Sequence, residues 1–247
     1  MNKLSVAIIT YNEERNIARC IKSVIDFASE IIVMDSGSTD ETVNIAKSLG
    51  AKVYHQPFLG HIQQKNLVLT KTTNQWVLSL DADEAVDNKL KNNIIRELKT
   101  PDADGYEINR MNSYCGKWIK HGAWYPDKKL RLWNKTKGEW TGLNPHDRFH
   151  LAPGSKINYL QGHILHYSFA SVKEHKIKSE RYAKIGAQAY HQQGIKTNFL
   201  QFIYKPAFKF IKDYVLKLGF MDGKLGLIIA LINSREVFLK YKFLKCL

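Results

Sequence analysis

Three stretches of this chain place acidic and hydroxylated side chains directly after short apolar runs. They are Thr10-Tyr11-Asn12-Glu13, Asp35-Ser36-Gly37-Ser38 and Asp81-Ala82-Asp83-Glu84. Carboxylates grouped in this way can accept from a base N–H or from ribose hydroxyls. They can also hold a hard cation, because Mg2+ or Mn2+ takes one or two protein carboxylates and completes its shell with phosphate oxygens and water. The Asp-Ala-Asp tripeptide says little alone, because the chain repeats it at Asp102-Ala103-Asp104. That second copy follows Pro101 with no apolar run before it, and it reads as an exposed turn. The histidines show no pair at zinc-ligand spacing.

The elements that must position these residues follow from the pattern of apolar runs. Residues 5–10, 31–34, 52–54 and 75–80 are short strands, three of them rich in the apolar and β-branched residues of a buried parallel sheet. Helical stretches separate them, which implies βαβ units. Asn12 is expected to cap the first helix, with Glu13 and Glu14 in its first turn. Ser38-Thr39-Asp40-Glu41 reads as a capping box opening a second helix to about Leu49. A helix spans Gln63 to Leu69 and another Asp87 to Leu98, stopped before Pro101. In an open α/β sheet, ligands bind outside the carboxyl ends of the strands. Three acidic strand ends would therefore share one edge, which gives the 81–83 copy a context that the 102–104 copy lacks.

From Asp104 to about Tyr167 the pattern changes to short strands and loops rich in aromatics, and from Val172 onward it is helical. The 247 residues suit one large domain, or a domain with an appendage. The expected division is a catalytic part over 1–169, made of halves 1–100 and 101–169, and a helical extension over 170–247. Cys20, Cys115 and Cys246 are scattered and odd in number, as in a reducing compartment. The start of the chain turns acidic too early for a signal peptide, and no run approaches the roughly 18 apolar residues that span a bilayer.

The three motifs together resemble family 2 glycosyltransferases of the GT-A fold, whose characteristic pieces are Val6-Ala7-Ile8-Ile9-Thr10-Tyr11-Asn12-Glu13-Glu14, Ile32-Val33-Met34-Asp35-Ser36-Gly37-Ser38-Thr39-Asp40 and Leu80-Asp81-Ala82-Asp83-Glu84. A looser likeness, to lipopolysaccharide core β-glucosyltransferases, is carried by Trp124-Tyr125-Pro126-Asp127, Leu130-Arg131-Leu132-Trp133, Pro145-His146-Asp147 and the stretch from His163 to Phe169. The resemblance implies an α/β fold: a Rossmann-like, mostly parallel central sheet flanked by helices, with the helical C-terminal extension added. It implies that Thr10 and Glu13 contact the nucleoside, that Asp35 bonds the pyrimidine, and that Lys65 lies near the phosphates. Relatives commonly carry Arg at this last place, so a point charge replaces a fork. Asp81 would approach ribose or metal, and Asp83 would be the main ligand of an Mg or Mn cation. His166 would be a further metal or diphosphate ligand, its alternative being a structural histidine. Asp147 would be the base that deprotonates the acceptor hydroxyl, although relatives often carry Glu there. Asp127 and Glu84 stand in reserve for that role. Arg131 could hold diphosphate or an anionic acceptor, or be a plain surface arginine.

The resulting expectation is an inverting, metal-dependent transfer of a hexose, glucose from UDP-glucose, to a glycolipid or saccharide acceptor such as the lipopolysaccharide inner core. A nucleotidyltransferase is the enzymatic alternative, disfavoured because the first strand ends without a glycine-rich phosphate loop. A catalytically silent nucleotide-sugar sensor is the other. The net charge of +14 is uneven: residues 170–247 hold 15 of the 37 Lys+Arg but only 5 of the 23 Asp+Glu. Aromatics interleaved with Lys205, Lys209 and Lys212 suit a helix on an anionic membrane surface, peripheral at the cytoplasmic face. A helical cap with its lysines in water is the competing reading. No nucleic-acid-binding motif accompanies the charge.

Overall fold

Apolar runs buried at nearly every position build three of the first four strands, and the connections between them set the topology. The computed structural model describes residues 2–143 and 146–247, and the side chains of Leu143, His146, Asp147 and Phe199 lie outside that description. The first part of the chain runs β1 (Leu4–Thr10), α1 (Ile17–Lys22), β2 (Glu30–Asp35), α2 (Thr42–Ser48), β3 (Lys52–His55), α3 (His61–Lys71), β4 (Trp76–Asp81), β5 (Glu84–Val86) and α4 (Asn88–Glu97). Then come β6 (Gly105–Tyr114), β7 (Lys117–Trp118), β8 (Asp127–Asn134), β9 (Gly138–Leu143), β10 (His146–Leu151) and β11 (Ile157–Phe169). Three helices close the chain: α5 (Val172–Gln192), α6 (Phe199–Ile211) and α7 (Gly223–Lys245).

Among the described residues, one nine-stranded sheet has the order β3-β2-β1-β4-β8-β6-β11-β5, with β7 added on β6. Strands β3, β2, β1 and β4 are parallel, as crossover helices require. From β8 onward the observed pairings of β8 with β4 and β6, of β7 with β6 and of β5 with β11 are antiparallel. The sheet is therefore mixed, because its second half is not linked by βαβ crossovers. Strands β9 and β10 form a separate hairpin. The core beneath the parallel strands holds Leu4, Val6, Ile8, Ile21, Val33 and Leu78, each fully buried or nearly so.

The chain divides into two compact units. The first comprises residues 1–110 and 127–166, and the second residues 111–126 and 167–247. The second unit thus takes in a segment that composition alone groups with the preceding strands. Its own core packs Tyr114, Ile119 and Ile229 with Trp124 and Phe169. Within it α5 and α7 bury Ala187, Tyr241 and Leu244. No helix among the described residues is long and apolar enough to cross a membrane.

Candidate active site

Register brings three acidic strand ends to one edge. Thr10 lies opposite Asp35, and Ile9 lies opposite Asp81. Asp35 is buried and turns its carboxylate back on its own loop, accepting from Gly37 N–H at 3.0 Å and Ser38 N–H at 3.1 Å. Gly37 has φ +98°, a conformation that favours glycine. The loop after β1 is stitched to this turn. Asn12, at φ +52°, donates its N–H to Ser38 Oγ and accepts from Thr39 N–H, both at 2.8 Å. Glu13 N–H donates to Thr42 Oγ1 at 2.7 Å. Two sequence expectations are corrected here. Asn12 does not cap α1, whose cap position is Asn16, and Ser38 opens no capping box, since α2 starts at Thr42. Both side chains are engaged by the neighbouring loop instead, which outcompetes the local cap.

Asp81 ends β4 between two cations. Lys65 Nζ is 3.2 Å from Oδ1, and Arg131 Nη2 is 3.2 Å from Oδ2. The same Arg131 nitrogen lies 3.0 Å from Glu84 Oε1, which Arg110 Nη1 approaches to 3.4 Å. Arg110 in turn sits 2.8 Å from Asp127. Glu84 also accepts the Asp81 N–H at 2.9 Å, tightening the turn after β4. Burial pushes the Asp81 carboxyl pKa up. The fields of Lys65, Arg131 and Arg110 outweigh that effect and hold it well below the usual carboxylate range. Lys65 is itself fixed: its ammonium lies 4.5 Å over the Trp140 ring. Asn66 clasps the Trp140 backbone through two hydrogen bonds of 2.8 and 3.0 Å. Arg110 and Trp140 carry no sequence signal of a role, and Asp127 and Glu84 are reserve candidates for the base. The one signal available was Glu84, an acid immediately after a buried strand end; nothing in the spacing pairs it with arginines 26 and 47 residues away.

Asp83 faces His166. Antiparallel pairing sets His166 opposite Glu84, and His166 Nε2 lies 3.1 Å from Asp83 Oδ2. The alignment of β11 is secured three residues earlier. Asp87 caps α4 by accepting from Leu90 N–H at 2.7 Å, and it also accepts His163 N–H at 3.0 Å. Gly162 permits this approach, since a Cβ there would collide with the Leu90 backbone. The opposed carboxylate and imidazole are an oxygen and a nitrogen donor that suit a divalent cation. No cluster of three or more His, Cys, Asp or Glu that could hold a metal occurs among the described residues. Two donors fit a hard ion whose remaining positions are filled by diphosphate oxygens and water.

A sequence profile described as Glycosyl transferase family 2 matches residues 5–156. The chain belongs to that family. An uncharacterised glycosyltransferase of Rickettsia typhi is 33% identical over 250 residues, covering 97% of this chain and 86% of the relative. The lipopolysaccharide core biosynthesis glycosyltransferase LpsC of Rhizobium meliloti is 24% identical, covering 96% of this chain and 93% of that protein. The crystal structure of S. aureus TarS superposes with a TM-score of 0.50 at 16% identity, over 73% of this chain and 39% of that one, a likeness of fold. The glycosyltransferase described here has the GT-A arrangement, a central sheet flanked by helices with further helices at the C-terminal end.

Seven of the expected site residues of this family 2 enzyme fall into three groups. Lys65 and Arg131 both touch Asp81, and Asp83 touches His166. Thr10 and Asp35 share their strand edge, where Thr10 Oγ1 is buried with no hydrogen-bond partner among the described residues. Asp147 lies in the β9–β10 hairpin, opposite Gly142, and its side chain is outside the described residues. The twin tripeptide forms a loop in which Asp104 accepts Lys156 N–H at 3.0 Å and Asp102 is exposed. It contributes to folding, away from any ionic cluster like that at Asp81.

Proposed function

We propose that this glycosyltransferase moves a hexose, glucose from UDP-glucose, with inversion onto a lipid-linked saccharide of lipopolysaccharide inner-core type, at the cytoplasmic face of the inner membrane. The observation that carries the reading is the opposed pair Asp83–His166, its aspartate two residues from an Asp81 held ionised by Lys65 and Arg131. In this reading Asp81 stays an acceptor at any working pH and takes a ribose hydroxyl. Thr10 Oγ1 gains the partner that it lacks by meeting the nucleoside, with Glu13 and the Asp35 turn beside it. Lys65 and Arg131 lie in fixed positions and need no reorganisation to face the diphosphate. Held by Asp83 and His166, an Mg or Mn cation would supply charge neutralisation for the leaving diphosphate. Asp147 takes the proton of the acceptor hydroxyl as its oxygen bonds to the anomeric carbon, and the bond from that carbon to the diphosphate oxygen breaks. The acceptor class is supported by the likeness to LpsC along nearly the whole chain.

A thermal-shift screen of UDP-, GDP-, CMP- and ADP-sugars, with and without Mn2+, tests the donor side. A ligand that binds the folded state raises the melting temperature. The expected result is a shift with UDP-sugars that requires the metal. A shift with another nucleotide class alone, or an equal one in chelator, would rule the reading out.

A further inference from the structure

We infer that the outward face of α6 and the turns that follow it form a docking surface for an anionic lipid bilayer. Helix α6 uses its inward side within its own unit. Phe202 meets Phe238 edge-on at 6.1 Å, and Ser234 donates to the Pro206 carbonyl at 2.8 Å. That contact leaves a second apolar face without cover. Leu200, Ile203 and Ile211 recur at helical spacing on the outside, flanked by Phe208, and the apolar surface continues through Leu216 and Phe220. Ile203 is 59% exposed, Phe208 58% and Leu216 66%. Large apolar side chains left exposed along one helix and the turns after it mark a surface for contact.

Charge selects the occupant. Two acids occur between residues 199 and 224, and both are engaged. Asp213 is buried with Lys209 at 3.0 Å and Asn233 at 3.1 Å. Asp222 accepts the N–H groups of Lys120 and His121 and lies 3.2 Å from the His121 ring. Lys212, Lys217 and Lys224 are exposed. The surface therefore offers large apolar side chains framed by cations with no exposed carboxylate. A bilayer interface with anionic headgroups satisfies both features, apolar side chains entering the acyl boundary and ammonium groups meeting phosphates. A second copy of this face would bring lysine against lysine. The sequence pointed to aromatics interleaved with Lys205, Lys209 and Lys212; in the proposed surface the exposed aliphatic and aromatic side chains enter the bilayer, and Lys212, Lys217 and Lys224 supply attraction. The inference stands on the second unit alone, whatever the acceptor is.

Flotation of the full chain with vesicles tests it. Wild type is expected to float with phosphatidylcholine vesicles containing about 30% phosphatidylglycerol and to bind pure phosphatidylcholine at least about tenfold more weakly. Binding should fall as salt rises from about 0.05 to 0.5 M. The variant I203S/F208S should lose at least about tenfold in binding to anionic vesicles, and K212Q/K217Q should lose the salt-dependent part. Both variants should keep the wild-type melting temperature and its shift with UDP-sugar and Mn2+. A lost donor shift with retained flotation would count against the sugar-transfer reading and leave the docking face in place. The inference is overturned if wild type fails to float with anionic vesicles, or if I203S/F208S floats equally well. It is also overturned if light scattering without lipid shows a dimer that I203S/F208S abolishes, which would give the face to a second copy.

Discussion

At the scale of single residues, chemistry here depends on context that a tripeptide does not contain. Asp83 and Asp104 each end an Asp-Ala-Asp, yet Asp83 faces an imidazole nitrogen and Asp104 accepts a backbone N–H. Asp83→Ala should therefore abolish the Mn2+-dependent part of the donor thermal shift without unfolding the chain. Asp104→Ala should leave that shift intact and lower stability by about 1 kcal/mol, the net worth of one hydrogen bond. Equal loss of the metal-dependent shift in both variants would refute the assignment. The strand-end acids were legible in sequence because each follows an apolar run. The partners that hold them were not: Arg131 was a candidate for diphosphate, but nothing in the sequence joins it or Arg110 to Glu84 and Asp81. Only the pairing of β6 with β8 brings both guanidinium groups to the buried Glu84.

At the scale of elements, the strands and the longer helices were legible, and the helix starts beside the site were not. Apolar runs report burial, which a strand such as β1 carries in all but one of its residues. A cap is one hydrogen bond, and at Asn12 and Ser38 a neighbouring loop takes it. Ser171 and Asn198, with no competing loop, cap α5 and α6 as their residue types favour. The start of α5 carries a pH-dependent contact. His175 is buried against Tyr114, whose hydroxyl lies 3.1 Å from Nδ1, and against the rings of Phe169 and Trp124. Burial, assisted by Lys178, lowers its pKa to about 4. An unfolded histidine titrates near 6.5, so between these values the unfolded chain binds the extra proton. His175 thus contributes stability that is complete above about pH 6.5 and is lost as pH falls towards 4, at most about 3 kcal/mol. Urea denaturation of His175→Gln should show a flatter dependence on pH across that window than wild type. Parallel profiles would mean that another group carries the slope.

At the scale of the whole molecule, composition and contacts divide the chain differently. Charge and aromatic content change near residue 170, which suggests a catalytic part that ends there. The segment 111–126 nevertheless belongs to the second compact unit. Its partners come late in the chain: Tyr114 and Ile119 pack with Ile229. The N–H groups of Lys120 and His121 are accepted by Asp222, and that of Gly122 by the Lys217 carbonyl at 2.8 Å. Composition could not reveal this, because the segment's aromatics and glycines resemble those of the strands around it. A fragment of residues 1–169 would keep the first unit's parallel strands but would strand these groups in water. Tyr114, Ile119 and Trp124 would form an exposed apolar cluster, and three backbone donors would lose their acceptors. We expect that fragment to bind a hydrophobic dye, to aggregate, and to unfold with a shallower denaturant slope than its length requires, since part of its surface is already exposed. The full chain should do none of these. A monomeric 1–169 fragment that unfolds cooperatively and binds no dye would show that residues 170–247 are an appendage, and that the segment 111–126 needs nothing from them.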